Sequence, residues 1–180
     1  MVSVYILEYE VCAIILTCII LAACIMGRKK HDSQFKIYVS MLVYLLVTSI
    51  TDLLSGYFIN HIEKYSIWYI YILEYIYFIF KMLMIVMYCL YNLESAESCY
   101  RRNRKLWVVI TIPSVFGLVL LAINTFTNVI FKIDKVNGFV RGKLIGVIYA
   151  ISIFYIVFAI FYIRRFDKII EKYKLYNIEF

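Results

Sequence analysis

Two apolar runs between Phe35 and Tyr91, each long enough to cross a bilayer and joined by the polar turn Asn60 to Ser66, constrain this chain more than any other feature. The first, Ile37 to Ile59, contains Asp52; the second, Ile67 to Tyr91, contains Glu74 and Lys81. An ionised side chain held in hydrocarbon costs about 2.5–3.5 kcal/mol even on the permissive insertion scale. Three of them in one hairpin require partners, a cavity or neutralisation, and their placement governs any functional reading.

The remaining sequence has the same character. Hydrophobic residues make up 64% of the chain, against roughly 45–50% in soluble domains, and several runs exceed the ~18 residues that mark a span. The sequence reads as a multi-pass protein of the cell membrane, with the lipid bilayer as its first partner and little chain left for a water-soluble catalytic module. A net charge of +7 would suit nucleic acid, but Lys and Arg stand at the ends of the apolar runs, so no nucleic-acid partner is expected. Four (Arg28, Lys29, Lys30, Lys36) follow the first run, four (Arg101, Arg102, Arg104, Lys105) follow the third, and five close the chain from Arg164 to Lys174. Only five (Lys64, Lys132, Lys135, Arg141, Lys143) fall on the opposite side, which predicts an external amino terminus and a cytoplasmic carboxyl terminus.

Five spans satisfy that orientation: about Tyr9 to Met26, the Asp52 run, Ile67 to Tyr91, Leu106 to Phe131, and Lys143 to Ile163, with a loop from Lys132 to Gly142. Spanning β-strands would show alternating segments of ~10 residues, and none occur. The predicted fold is all-α: residues 1–163 form a membrane-embedded five-helix bundle, and residues 164–180 form a juxtamembrane tail. Phe166, Ile169, Ile170 and Tyr173 fall at i, i+3, i+4 and i+7 of that tail, so it suits either the inner leaflet or a continuing signalling helix.

Cys12, Cys18, Cys24, Cys89 and Cys99 contain no CxxC pair and no histidine at ligand spacing, which predicts neither a disulfide framework nor a metal site, and no cofactor is expected. Leu21-Ala22-Ala23-Cys24 has the look of a lipoprotein cleavage box. The acids Glu8 and Glu10 precede it and Arg28-Lys29-Lys30 follow it, the reverse of a secretory signal's charge order, so the first run reads as a retained span.

Asp52 and Glu74 lie eleven residues either side of Glu63. In an antiparallel helical hairpin they share one depth, about 10 Å below the outer boundary at 1.5 Å per residue. Asn124, seven residues before Phe131 in a span running outward, reaches the same level. Tyr44, Thr48, Asp52, Ser55 and Gly56 make a polar stripe on the second span; Pro113, Gly117, Asn124 and Asn128 share a side of the fourth; Glu74 and Lys81 share a face of the third. Turned inward, these faces predict a polar chamber in the outer half of the bundle, floored by Lys81 and open toward Glu8, Glu10 and Arg141. Asp52, Glu74, Lys81, Asn124 and Arg141 are the candidate ligand-binding residues. The same groups admit a structural reading, in which two carboxylates share a proton or Asp52 simply partners the long Lys81 side chain, and a third reading as a proton or ion path.

Other features have two readings as well. Gly142, Gly146 and Ala150 form a small-xxx-small ridge suited to internal packing or to dimerisation. Pro113 predicts a bend that frees the Val109 carbonyl. Trp68, Tyr69, Tyr71, Tyr75 and Tyr77 suit headgroup anchoring or a stacking pocket.

The Phe35-Lys36 start of the second run, Asp52 near its outer end, the tyrosine-rich third run, and above all Pro113 to Asp134 with Asn124-Thr125-Phe126-Thr127-Asn128, then Gly138-Phe139-Val140-Arg141-Gly142, resemble the amino-terminal membrane sensor of clostridial GGDEF diguanylate cyclases. Seven-helix input regions of bacterial histidine kinases are similar in layout. The resemblance implies a sensory input region in which further spans precede a cytoplasmic GGDEF or kinase output domain, and it matches Asp52, Asn124 and Arg141 to the sensor region. This sequence departs from the pattern: it has neither output signature nor the last two spans, so the enzymatic activity is not carried over. The expectation is a non-enzymatic input module for bacterial signal transduction that senses a small extracytoplasmic ligand or the state of the membrane. Its partners would be a cytoplasmic output domain or a second copy.

The alternative is a small transporter or transporter subunit using buried Asp52, Glu74 and Lys81, against which stands the lack of inverted repeats. An intramembrane enzyme ranks below both. His31 and His61 fall in loops, and no HExxH or Ser-Lys arrangement sits within a span.

Overall fold

The computed structural model describes residues 7–27, 33–95, 104–135 and 137–176, with the backbone alone for 33, 94–95, 104–107, 163 and 165–176. Its elements are α1 (Glu8–Met26), α2 (Ser33–Asn60), α3 (Ile67–Ser95), α4 (Arg104–Thr127), the strands β1 (Phe131–Asp134) and β2 (Gly138–Arg141), and α5 (Ile145–Tyr176). All five helices are long and apolar enough to cross a bilayer. The basic clusters Arg28-Lys29-Lys30 and Arg101-Arg102, Cys99 and His31 lie outside the described residues.

The helix ends follow from local chemistry. Glu8 and Glu10 sit in the first turn of α1, where carboxylates complement the positive end of the helix dipole. α1 stops at Gly27, whose N–H bonds the Ala23 carbonyl at 2.9 Å. α4 ends four residues before the Phe131 expected from hydropathy. Asn128 takes a left-handed conformation, φ 52°, with its N–H on the Asn124 carbonyl at 2.9 Å, and asparagine is among the few residues that accept this geometry at a helix end. Asn128 is therefore a cap, not part of the α4 face. The β-branched and aromatic residues Val129, Ile130 and Phe131 that follow favour extended backbone.

The Lys132–Gly142 segment, expected to be a loop, is for the most part an antiparallel hairpin pairing Phe131 with Arg141, Lys132 with Val140, Ile133 with Phe139 and Asp134 with Gly138. Gly138 supplies the positive φ of 67° that lets the tight turn return into the ladder. Beyond the strands, Gly142 N–H bonds the Ile130 carbonyl at 2.7 Å and Leu144 N–H bonds Val129 at 2.8 Å. Gly142 is thus at the hairpin base, outside α5, and a Cβ there would sit 2.2 Å from the Val129 carbonyl oxygen. The Gly142-Gly146-Ala150 ridge does not form, since α5 begins at Ile145 and the position of a Gly146 Cβ is open space.

α3 is the axis of the bundle. It packs along α2 and also meets α4, α5 and β1, whereas α1 rests principally on α2. Two buried clusters flank the middle of the molecule. One, at the α2–α3 turn, joins Ile59, Ile62 and Ile70 to Ile130, Phe131 and Ile133 of the hairpin. The other joins Met82, Ile85, Cys89 and Leu93 to Ile110, Ile151 and Tyr155. Gly117 brings α4 close to both neighbours: a Cβ there would overlap the end of Met82 and lie 3.2 Å from Ile151. Pro113 sits inside an unbroken α4, and the Tyr155 hydroxyl of α5 bridges the Ile110 carbonyl and Ser114 beside it. The outward surfaces are apolar, with Ile15, Leu16, Ile112, Phe116, Ile153 and Phe161 all exposed. α5 continues unbroken past Ile163 into the expected tail, while the Phe166, Ile169, Ile170 and Tyr173 side chains lie outside those described.

Candidate functional site

Asp52 and Ser55 are three apart on α2, and Glu74 and Tyr77 are three apart on α3, so each pair presents one face. The tight α2–α3 packing turns those faces together, and Ser55 Oγ donates to Glu74 Oε1 at 2.5 Å. Glu74 is only 6% exposed. Gly56 leaves the space beside Ser55 empty of side chain, and a cavity of about 140 Å³ opens there.

Its walls are Asp52, Ser55 and Gly56 of α2, Glu74, Tyr77 and Phe78 of α3, Tyr149 of α5, and Phe139 and Arg141 of β2. Alternation along β2 accounts for the last two, since residues i and i+2 of a strand face one way. The hairpin thus roofs the cavity and brings a guanidinium to a site whose helical walls carry two carboxylates. Among the described residues, neither the Asp52 nor the Arg141 side chain has a hydrogen bond or an ion pair.

Lys81 is not part of the lining. Its ammonium donates to Tyr77 Oη at 3.0 Å and lies 5.1 Å from the centroids of the Tyr77 and Tyr149 rings. It is one helical turn deeper on α3, within electrostatic reach of Asp52 and Glu74. Glu10 of α1 stands close enough to Asp52 to interact with it electrostatically, and one of its carboxylate oxygens is buried without a hydrogen-bond partner.

Asn124 is inside the bundle, 0% exposed, but it does not face the cavity. Its Oδ1 accepts from the Ile130 and Phe131 N–H groups at 2.7 and 3.2 Å, and its Nδ2 donates to the Phe131 carbonyl at 3.2 Å and to Tyr75 Oη at 3.3 Å. It is a clamp on the hairpin. The predicted level was shared, but the turn after Asn128 brings backbone to the amide before any ligand can reach it. Thr48 of the polar stripe and Thr51, outside it, likewise bond backward within α2, to Tyr44 and Val47.

The tyrosines of α3 divide between the two roles open to them. Trp68 and Tyr69 are 74% and 60% exposed. Tyr71, Tyr75 and Phe78 instead ring Phe131, with centroids 5.9, 5.3 and 5.4 Å away, and Tyr71 Oη also takes the Ile133 N–H at 3.1 Å. Sequence reasoning singled out neither Tyr77, Tyr149 nor Phe139 as lining. Tyr77 lies between Glu74 and Lys81 at helical spacing and was open to detection; nothing distinguishes Tyr149 among eighteen tyrosines.

Comparison with protein-family models, with curated proteins and with solved structures yields no match for this chain. Among the described residues no group of three or more His, Cys, Asp or Glu is placed to hold a metal ion.

Proposed function

We propose that this chain is a multi-pass membrane protein with its amino terminus outside and its carboxyl terminus in the cytoplasm, and that it works as a sensory input module binding a small extracytoplasmic ligand. The observation that carries this reading is the cavity itself. Opposite charges from three elements meet in it without neutralising one another by contact, and ionisable groups at membrane depth that line a cavity mark ligand or ion sites. The apolar outer surface and the skewed distribution of Lys and Arg support the membrane location and orientation.

Signal transfer would use α5. Tyr149 touches the cavity on the same unbroken helix that runs on to Tyr176, so a shift at one end is carried to the other. The role is binding and transmission, with no reaction assigned. The test is a thermal-melt screen of the purified chain in lipid nanodiscs against small polar metabolites. A compound that raises the melting temperature of the wild type, but not of Asp52→Asn or Arg141→Ala, and that changes hydrogen exchange in residues 164–176, supports the reading. A screen in which nothing stabilises the wild type more than the variants removes it.

The placement of Asp52, Glu74 and Lys81 in one electrostatic group favours a second reading, a small transporter or transporter subunit. Ligand-dependent proton uptake by vesicles containing this chain alone would select it.

A further inference from the structure

The charge arrangement of the cavity specifies more than polarity. We infer that it takes a small zwitterion, with the ligand's ammonium against Asp52 and Glu74 and its acid group against Arg141. This rests on the cavity being a ligand site, as proposed above.

The argument is one of elimination by charge. A simple anion drawn to Arg141 would face two carboxylates across the cavity, and a simple cation drawn to those carboxylates would face a guanidinium. Like charges brought together repel, more strongly beside half-buried Asp52 and buried Glu74 than at the exposed Arg141. A molecule carrying both signs satisfies both walls, and because the acids belong to α2 and α3 while the guanidinium belongs to β2, it is also fixed in direction. Arg141 offers the planar fork suited to a carboxylate or a phosphate. Phe139 gives an apolar wall for a short methylene spacer.

Size narrows the class. The cavity is about 140 Å³, close to the ~150 Å³ that accommodates benzene, so the occupant has on the order of six non-hydrogen atoms. Small amino acids meet the description. So does the ethanolamine phosphate headgroup of a zwitterionic phospholipid, which shares the chemistry of an ammonium joined to an acid by a short spacer.

The test is isothermal titration of the chain in nanodiscs of phosphatidylglycerol, using glycine, β-alanine, 4-aminobutyrate and phosphoethanolamine as zwitterions, ethylamine as the cation and propionate as the anion. The expected result is a zwitterion bound at least tenfold tighter than ethylamine or propionate, weakened at least tenfold by Asp52→Asn and by Arg141→Gln, and restored only in part in Arg141→Lys, which keeps the charge but not the fork. Melting temperatures of the three variants verify that each is folded. To separate the two sources, the titration is repeated with phosphatidylethanolamine in the disc. A headgroup occupant competes with the soluble probes in an Asp52-dependent way; a free amino acid is unaffected. Ethylamine binding as tightly as any zwitterion with no loss in Arg141→Gln, or propionate doing so with no loss in Asp52→Asn, overturns the zwitterion while leaving a ligand site in place. Absence of binding by every probe, with or without phosphatidylethanolamine, also overturns it, and the broader screen above then decides whether the site reading falls too.

Discussion

A single buried amide holds the roof of the cavity. Asn124 meets two backbone N–H groups, a carbonyl and a tyrosine hydroxyl, and Asn124→Ala leaves the Ile130 and Phe131 N–H groups without their acceptor. Each unsatisfied buried group costs about 1–3 kcal/mol, so the variant should lose on the order of 3 kcal/mol, read by denaturant unfolding in detergent, with faster hydrogen exchange at those two amides. Gly142 and Gly146 make a matched pair. Gly142→Ala drives a Cβ into the Val129 carbonyl, whereas Gly146→Ala meets nothing within 4 Å. The first should cost about 1–3 kcal/mol, and the second should be neutral or stabilise α5 by up to about 1 kcal/mol; thermal melts of the two variants side by side decide it, and equal effects would contradict the assigned contacts. At this scale the sequence disclosed which residues are polar inside apolar runs, because that pattern is visible in one dimension. It did not disclose what they face. Counting along the sequence puts Asn124 and Asp52 at one level, yet one is consumed by backbone six and seven residues away and the other lines the cavity.

The elements show the same division for a different reason. Hydropathy located all five helices, because runs of such length and apolarity have few alternatives, but it carried α4 through to Phe131 since Val129, Ile130 and Phe131 are as hydrophobic as the helix before them. The distinguishing signals were the asparagine at position 128 and the β-branched residues after it, with Gly138 to close the turn, and they are faint beside twenty apolar residues. What hydropathy counted as span is in fact the anchor of the hairpin. Phe131 is 0% exposed and packs against Tyr71, Tyr75, Phe78 and Phe139. Phe131→Ala should therefore release the hairpin while leaving the helices in place, at a cost of about 3–5 kcal/mol. Hydrogen exchange across residues 132–141 should rise, exchange in α3 should hold, and far-ultraviolet circular dichroism should be unchanged. Because the roof carries Arg141, any ligand of the cavity should bind this variant at least tenfold more weakly; undiminished affinity would mean that the hairpin contributes no binding group.

For the molecule as a whole, the proposed orientation ties the site to a compartment. The hairpin shares a buried cluster with the α2–α3 turn, so roof and turn lie at one end of the bundle. Lys64 and Lys135 mark that end, and Lys36 near the start of α2 with Arg104 and Lys105 at the start of α4 mark the other. If the excess of positive charge stays in the cytoplasm, the hairpin that roofs the cavity lies at the exterior, and the continuous α5 is the only described element that touches the cavity and runs past the far end of the spans. Orientation can be measured without knowing the ligand. With the five native cysteines replaced, single cysteines at Lys64 and Lys135 should react with a membrane-impermeant maleimide in intact cells, while cysteines at Lys30 and Lys172 should react only after permeabilisation. The opposite pattern would turn the cavity toward the cytoplasm. The zwitterion chemistry would survive that result, since it depends on the charges and size of the cavity and not on which side it faces, but the ligand would then be intracellular and the outward-sensing role would be lost.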